Sequence, residues 1–338
     1  MSDETEPGAE QGLPASSERG WTKDQMVACE KCARANPPTR VACLYCGAAL
    51  PVAAGADLWR KPELRPLESW ERGYNVILAP LAGTPETPLA EIAGYLQLEE
   101  PVLEMIARAG VALPVARTAL AEEALLVQRR LSGLGLKALV VSDDELLAQD
   151  AAPARRVRRL LFTETDLIAN STGENAEQST RWADVLLLVA GRIVVRRLEV
   201  EEKHSRGRAR EILDERELGA DKAVLNIYSA NQQWWQITSD NFDFSCLGEE
   251  KSLLAADNFA RLIAALCRRA PRAVYDDSYQ RVRPLLTVVW PLERHTESSG
   301  WRRSRRGIST ENVTTISNEA QFARYSRLVY RLLLGGRA

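Results

Sequence analysis

The sequence predicts a multidomain α+β protein, and three observations indicate this fold class. Four cysteines lie close together between residues 29 and 46, and an alternation of strand and helix patterns follows over residues 74–142. From residue 158 onwards, strand-like segments succeed one another before the pattern becomes helical. With 338 residues, of which 45 % are hydrophobic and 27 % charged, the chain has enough apolar material for two or three folded cores.

Charge and hydropathy exclude several classes of protein. The net charge of −2 argues against a nucleic-acid or membrane binder that acts through bulk charge. The chain has no uninterrupted apolar run of about 18 residues, so no transmembrane helix is expected. The N-terminal segment is acidic and has no apolar centre, so it is not expected to be a signal peptide. We therefore expect a cytoplasmic protein, in which closely paired cysteines indicate a metal site and not disulfides.

The segments before residue 73 differ in composition. Residues 1–22 are acidic, contain Gly, Pro and Ser, and are predicted to be a disordered tail. Residues 23–50 hold the clustered cysteines, and residues 51–72 are proline-rich without clear periodicity, so they are predicted to be a linker.

The cysteine module has the spacing Cys29-x2-Cys32-x10-Cys43-x2-Cys46. Each Cys-x2-Cys pair allows a tight turn to bring two sulfurs to one metal ion. Four thiolates complete a tetrahedral site with no open position, which is typical of structural zinc. We expect one structural Zn²⁺ per chain, held by these four cysteines.

The stretch CEKCARANPPTRVACLYCGAAL within residues 27–50 resembles the short zinc ribbons of many bacterial proteins. It shares with them the Asn-Pro-Pro after the first Cys-x2-Cys knuckle and the Cys-x-x-Cys-Gly of the second. The spacing is also similar to that of the Ran-binding-protein-type finger, some members of which bind single-stranded RNA. That family has a tryptophan two residues before the first cysteine, where this chain has Val27. The missing stacking platform favours a structural or protein-docking ribbon over an RNA binder.

Residues 73–148 are predicted to be a small βααβαβ domain. The strands are YNVILAPL, VALPVART and LKALVV, and the helices are LAEIAGYLQ, PVLEMIARAG and LAEEALLVQRRLSGLG. YNVIL and AEEALLVQRRLSGLGLKALVV resemble the C-terminal domain of the ribosomal stalk protein and the related fold of the N-degron adaptor ClpS. This resemblance implies a non-catalytic domain that docks onto other proteins, and no ClpS peptide-binding residue is matched. A generic ferredoxin-like or similar α+β domain is the alternative.

Residues 155–338 are predicted to be a β-rich domain with a C-terminal helix and strand extension. Six strand-like segments lie between residues 158 and 247, and the charged segment 203–221 between two of them is expected to be an excursion loop or a short exposed helix. In the following helix, one face carries Phe259, Leu262, Ile263, Leu266 and Cys267. Strands capped by one amphipathic helix resemble a pleckstrin-homology-like barrel, although that family has seven strands.

The adjacent Trp234 and Trp235 fall in one of these strands, so one ring should point inward and the other outward. The inward ring is expected to lie in the hydrophobic core. The outward ring is expected to be covered by a neighbouring domain, with exposure as a binding spot the alternative.

The C-terminal region contains a basic cluster. Beyond Pro271 we expect a strand (LLTVVWPL), an arginine-rich loop (294–309), a strand (NVTTIS) and an amphipathic helix. The loop sequence WRRSRR places an aromatic ring beside four guanidinium groups, which suits contacts to phosphates and bases: Trp301, Arg302, Arg303, Arg305 and Arg306. Alternatively these arginines are solvated or pair with the acidic tail.

No catalytic constellation is evident in the sequence. His204 and His295 lie in charged segments, and Cys246 and Cys267 fall in apolar patterns typical of inert buried thiols. Phosphate-binding loops, dinucleotide fingerprints and nucleophile elbows are missing. We therefore expect a non-enzymatic protein-interaction or regulatory adaptor. The alternative is a nucleic-acid-binding protein that uses the ribbon and the 294–306 arginine loop.

Overall fold

The structure is a computed structural model that describes residues 26–50, 62, 64–68, 71–81, 89–147, 155–171, 177–204, 211–231, 233–304 and 307–336. The predicted tail 1–22 and most of the predicted linker 51–72 lie outside these residues. The chain divides into two compact units, Met1–Glu63 and Leu64–Ala338.

The first unit contains the cysteine module. Strand β1 (Val27–Ala28) pairs antiparallel with β2 (Ala35–Asn36). A small core forms around the buried Cys29, Cys43 and Leu50. With so little apolar material, a metal ion would be the main source of stability for this unit.

The second unit begins with the predicted βααβαβ order, which is confirmed. Its elements are β3 (Tyr74–Leu78), α1 (Leu89–Leu96), α2 (Glu100–Ala107), β4 (Leu113–Thr118), α3 (Ala121–Gly133), β5 (Ala138–Ser142) and the short α4 (Asp143–Leu147). The three strands form an antiparallel sheet with β3 in the centre and β4 and β5 at its edges. Pro101 opens α2, and Gly110 follows its end with a φ of +72°, a conformation that glycine adopts without strain.

The remaining strands form one curled sheet, a half-barrel. They are β6 (Arg155–Phe162), β7 (Asp166–Ser171), β8 (Glu177–Arg181), β9 (Val185–His204), β10 (Glu211–Ser229), β11 (Trp234–Thr238), β12 (Val274–Asp276), β13 (Glu293–Ser304) and β14 (Gly307–Ser317). Their order is β13-β14-β9-β10-β11-β6-β7-β8, and β12 pairs with β9. All neighbours are antiparallel except β11–β6 and β12–β9, which are parallel.

Three helices complete the second unit: α5 (Ala255–Arg269), α6 (Tyr279–Leu286) and α7 (Glu319–Gly335). The predicted apolar face of α5 packs on the half-barrel, with Phe259, Leu262 and Leu266 buried and Ile263 and Cys267 partly buried.

A second core joins the three-stranded sheet to α6 and α7. The indole of Trp290, fully buried just after α6, donates a hydrogen bond from Nε1 to Asn75 Oδ1 at 2.8 Å. Arg281 Nη1 donates to the carbonyl oxygen of Ala109 at 2.7 Å. Residues 73–148 therefore bury part of their apolar surface against the C-terminal helices.

In the charged segment 203–221, the described residues 203–204 and 211–221 form strands, which corrects the prediction of a loop or short helix for them. These residues lie in the distal parts of β9 and β10. The two strands pair from Lys203 with Glu211 to Ile193 with Lys222, and the register shifts once, between Ile212 and Asp214. Charged residues run along both strands, so the alternation that marks a half-buried strand is missing from the sequence. Residues 205–210, which connect these strands, lie outside the described residues.

The C-terminal predictions need two further corrections. The segment LLTVVWPL is not a strand but the end of α6 and the turn after it. Val282, Leu286 and Trp290, spaced at four residues, are all fully buried, so the apolar spacing is helical.

The expected loop 294–309 forms most of the β13–β14 hairpin, in which cross-strand hydrogen bonds satisfy the polar backbone. Residues 155–238 hold six strands, β6 to β11, the number counted in the sequence. The last counted segment, which ends at residue 247, is instead a 3-10 helix (Phe244–Glu250), and β8 was not predicted.

Candidate metal centre

The four predicted cysteines come together in the first unit. Their Sγ atoms all lie within 4.8 Å of one another. The closest pairs join the two knuckles, with Cys29 Sγ 3.6 Å from Cys46 Sγ and Cys32 Sγ 3.6 Å from Cys43 Sγ. Within the described part of the chain, no other group of three or more His, Cys, Asp or Glu side chains is arranged to share a metal ion.

The sulfur geometry fits a tetrahedral metal site. A disulfide needs about 2.05 Å between sulfurs, so at 3.6 Å neither closest pair is bonded. Zinc–thiolate bonds of about 2.3 Å in a tetrahedron require sulfurs about 3.8 Å apart. The cluster can therefore hold a metal ion with little movement, and the four-cysteine set is consistent with a zinc ribbon.

Both knuckles have the same backbone turn. The residue directly after the second cysteine of each pair has a positive φ, +59° at Ala33 and +70° at Gly47. Each donates its N–H to the carbonyl of the first cysteine, Ala33 to Cys29 at 2.7 Å and Gly47 to Cys43 at 3.0 Å. The glycine adopts this conformation freely, whereas the alanine costs about 1–2 kcal/mol. The repeated turn brings the two sulfurs of each pair to the same side of their loop.

Asn36 connects the two knuckles and was not identified as functional from the sequence. This fully buried side chain donates from Nδ2 to Cys43 Sγ at 3.4 Å and to the carbonyl of Arg34 at 2.8 Å. Its Oδ1 accepts a hydrogen bond from the N–H of Leu44 at 2.8 Å. The one sequence feature that could have identified Asn36 is the Asn-Pro-Pro motif that this chain shares with the zinc ribbons it resembles.

Hydrogen bonding at Cys43 favours its thiolate, the form that binds metals. Burial raises the pKa of this thiol, but hydrogen bonds from the backbone N–H groups of Tyr45 and Cys46 and from the Asn36 amide outweigh burial and lower the pKa to about 6.

The second knuckle also presents an exposed apolar surface. Leu44 is 54 % exposed and Tyr45 is 56 % exposed. The guanidinium carbon of Arg34 lies 4.7 Å from the centre of the Tyr45 ring, at cation–π distance. The N–H groups of Leu44 and Tyr45 bond to Asn36 and Cys43 Sγ, so these two residues hold the backbone of this surface in place.

The predicted arginine cluster belongs to the second unit. The backbone of Trp301, Arg302 and Arg303 lies in β13, paired with Thr310, Ser309 and Ile308 of β14. Arg305 and Arg306 lie outside the described residues, as do the tail acids suggested as partners.

The sheet register adds two basic residues that the sequence analysis did not connect with this cluster. Ser309 and Ile308 also pair with Lys203 and His204 of β9. About 100 residues separate these positions from the arginines, so only strand pairing could reveal that they share one end of the sheet.

The two adjacent tryptophans have different environments. Trp235 is buried and donates from Nε1 to Gln178 Oε1 at 3.1 Å. Trp234 is partly buried, stacks on Tyr228 with ring centres 5.7 Å apart, and has the Arg327 guanidinium 5.3 Å from its ring centre. The second ring is thus largely covered by α7 of its own unit.

The other candidate reactive side chains have structural surroundings. Burial raises the pKa of Cys246 to about 11 and also raises that of Cys267, so both remain thiols at neutral pH. His295 lies in β13, exposed, with its Nε2 3.2 Å from Glu297 Oε1.

Comparison of the chain with protein-family models, with curated proteins and with solved structures gives no match. The resemblances to the stalk-protein domain, ClpS and the pleckstrin-homology-like barrel thus rest on sequence pattern and on the order of elements. Among the described helices, none has the length and apolar character needed to cross a bilayer.

Proposed function

We propose that this protein is a non-catalytic interaction adaptor whose N-terminal ribbon is folded by one structural zinc ion and docks a partner protein through its second knuckle. The observation that carries the proposal is the pair of exposed apolar side chains, Leu44 and Tyr45, whose backbone N–H groups bond to Asn36 Oδ1 and to Cys43 Sγ. Cys29, Cys32, Cys43 and Cys46 would hold the zinc, which supplies a rigid, redox-inert cross-link between the knuckles.

The side chains at the knuckle suit a protein surface. Exposed leucine and tyrosine supply apolar area that gains free energy when it leaves water. Arg34, stacked on Tyr45, adds a cation that can pair with an acidic residue of the partner. The raised pKa values of Cys246 and Cys267 support the non-catalytic part of the proposal, because a thiol is a poor nucleophile.

The experiment compares three zinc-loaded full-length chains in affinity capture from the native cell with mass spectrometry. They are the intact chain, Leu44→Ser with Tyr45→Ser, and a control carrying Leu253→Ser with Leu254→Ser. The control changes two leucines of the second unit that are also highly exposed, at 104 % and 63 %.

We expect a protein that the intact chain and the control retain and the knuckle variant loses, with equal zinc content in all three. The same captured set from all three chains would contradict the proposal.

Nucleic-acid binding is the second candidate function, and the sheet register favours it. The ends of β13 and β9 bring Arg302 and Arg303 into the same rows as Lys203 and His204. The row of Arg302 and Lys203 also contains Glu211, which pairs with Lys203, so three basic residues and His204 stand against one acid in these two rows. An excess of basic residues at one end of a sheet suits contacts to phosphates. The net charge of −2 and the missing tryptophan at Val27 favour the protein-docking function over this one.

A further inference from the structure

Strand β5 is an accessible edge of the three-stranded sheet. β4, at the opposite edge, is buried along its whole length, whereas four of the five residues of β5 are only partly buried. A groove of about 600 Å³ runs beside β5 and is closed on its other side by the C-terminal end of α7. β5 has no second strand partner in the described sheet, and apolar side chains line the groove together with the ion pair between Arg331 and Glu145. A strand edge of this kind is a template for another strand.

Backbone hydrogen bonds show which groups of β5 face the groove. The N–H of Asp143 donates to Gly73, towards β3, whereas the N–H of Ser142 donates to the Glu145 carboxylate at 2.9 Å. The carbonyl of Ala138 accepts from the Gln128 side chain at 2.8 Å. Because backbone groups alternate sides along a strand, Val140, midway between Ala138 and Ser142, also points its N–H and C=O away from β3.

The sequence around this edge is self-complementary. Leu139, Val140 and Val141 are uncharged, with Lys137 before them and Asp144 after them. An antiparallel copy centred on Val140 would place Ala138 opposite Ser142 and Lys137 opposite Asp143, next to Asp144. Lys137 is exposed and has no ion pair among the described residues. The exposed Asp144 has only a 3.9 Å contact with Arg72.

We propose that β5 is a self-association surface at which a second copy of this chain pairs its own β5 antiparallel, centred on Val140, to form a continuous six-stranded sheet. The two Val140 residues exchange N–H···O=C hydrogen bonds, and Lys137 of each copy meets Asp144 of the other. The Gln128 and Glu145 side chains, which bond to the Ala138 carbonyl and the Ser142 N–H in the single chain, release these groups to the added strand. Charge complementarity selects a second copy as the occupant, because two-fold symmetry satisfies both ends of the edge at once.

The groove has room for this partner. Leu332 and Leu334 of α7 line it and are partly buried, so they can contact the outward side chains of the added strand. Gly335 also lines the groove, and a Cβ added there would meet no atom within 4 Å. The contact is short, so we expect a concentration-dependent dimer and not an obligate one.

Sedimentation equilibrium of the zinc-loaded full chain over a concentration series tests the proposal. Val140→Pro removes an N–H that the chain's own sheet does not use, so the circular dichroism spectrum should persist while the dimer is lost. In Gly335→Phe, the new side chain has room at position 335 and occupies the groove, so this variant should also abolish the dimer.

Charge reversal provides a test that does not depend on proline. Lys137→Glu alone and Asp144→Lys alone should each weaken the dimer about tenfold, because each replaces two symmetric attractions by two repulsions. The double variant should restore it, and Lys251→Glu, an exposed control, should leave it unchanged. A chain that stays monomeric at every concentration would overturn the proposal, as would a dimer insensitive to Val140→Pro and to the charge reversals.

Discussion

Replacing Asn36 tests whether the metal centre depends on the residue that links its two knuckles. In Asn36→Ala, the Cys43 sulfur loses its side-chain donor, and the N–H of Leu44 loses its acceptor. The Arg34 carbonyl keeps a bond from the N–H of Cys29 at 3.0 Å, so it is not left unsatisfied. The main cost is therefore one unpaired backbone donor and one weakened thiolate.

The magnitude follows from these two losses. The bond to Leu44 is partly buried, and each of the two lost hydrogen bonds contributes about 0.5–1.5 kcal/mol net, or about 1–3 kcal/mol together. About 1.4 kcal/mol corresponds to tenfold in an equilibrium constant. Supporting residues around metal ligands typically contribute about 10–100-fold to affinity, which is the same range. We therefore expect the zinc affinity of Asn36→Ala to fall about 10–100-fold.

The assay is competition of the full-length chain with a chromophoric zinc chelator at fixed pH. Lys31→Ala is the control, because Lys31 is exposed within the first Cys-x2-Cys pair and has no hydrogen bond or ion pair among the described residues. Its affinity should equal that of the intact chain. If Asn36→Ala also bound zinc as tightly as the intact chain, the hydrogen bonds of Asn36 would not support the site and the reasoning would be refuted.

Elemental analysis should find one zinc per chain. The double variant Cys29→Ser with Cys43→Ser should lose this zinc without a change in the melting temperature of the second unit. Zinc that persists in the double variant would exclude the cysteine cluster as its site. Trp290→Ala should lower the free energy of unfolding of that unit by about 3–5 kcal/mol, because it opens a cavity and removes the donor to Asn75 Oδ1. A loss below about 1 kcal/mol in a denaturant titration would show that the core shared with α6 and α7 contributes little. Limited proteolysis within the connector 149–157 should yield fragments that still co-elute under native conditions, whereas fragments that separate would indicate that residues 73–148 fold independently. In fluorescence anisotropy with labelled single-stranded RNA and duplex DNA, we expect weak binding that increases when residues 1–20 are deleted. Submicromolar binding at physiological salt would instead favour the nucleic-acid function. This binding should then be lost when four arginines are changed to Ala: Arg302, Arg303, Arg305 and Arg306. Its affinity should also fall about a hundredfold between ~50 and ~200 mM salt.

Local patterns in the sequence were sufficient for the features whose signals are local. The two Cys-x2-Cys pairs predict a metal cluster because each pair needs only one tight turn. The βααβαβ order and helix α5 were predictable because their apolar residues repeat with the period of the element they form. Gly47 is similarly consistent with a turn, whereas nothing local predicts the positive φ of Ala33.

The tertiary structure alone decided the features that depend on pairing between distant segments. The charged ends of β9 and β10 lack an alternating apolar face, so only hydrogen bonds to β14 and to each other identify them as strands. Residues 285–292 contain β-formers, but they form the end of α6 and the turn after it, because Val282, Leu286 and Trp290 are buried in the core. The sequence by itself determined which four cysteines cluster and the kinds of element in the first half of the second unit. Strand order and register determined which residues share an edge, because hydrogen bonds between strands join positions that no local pattern relates.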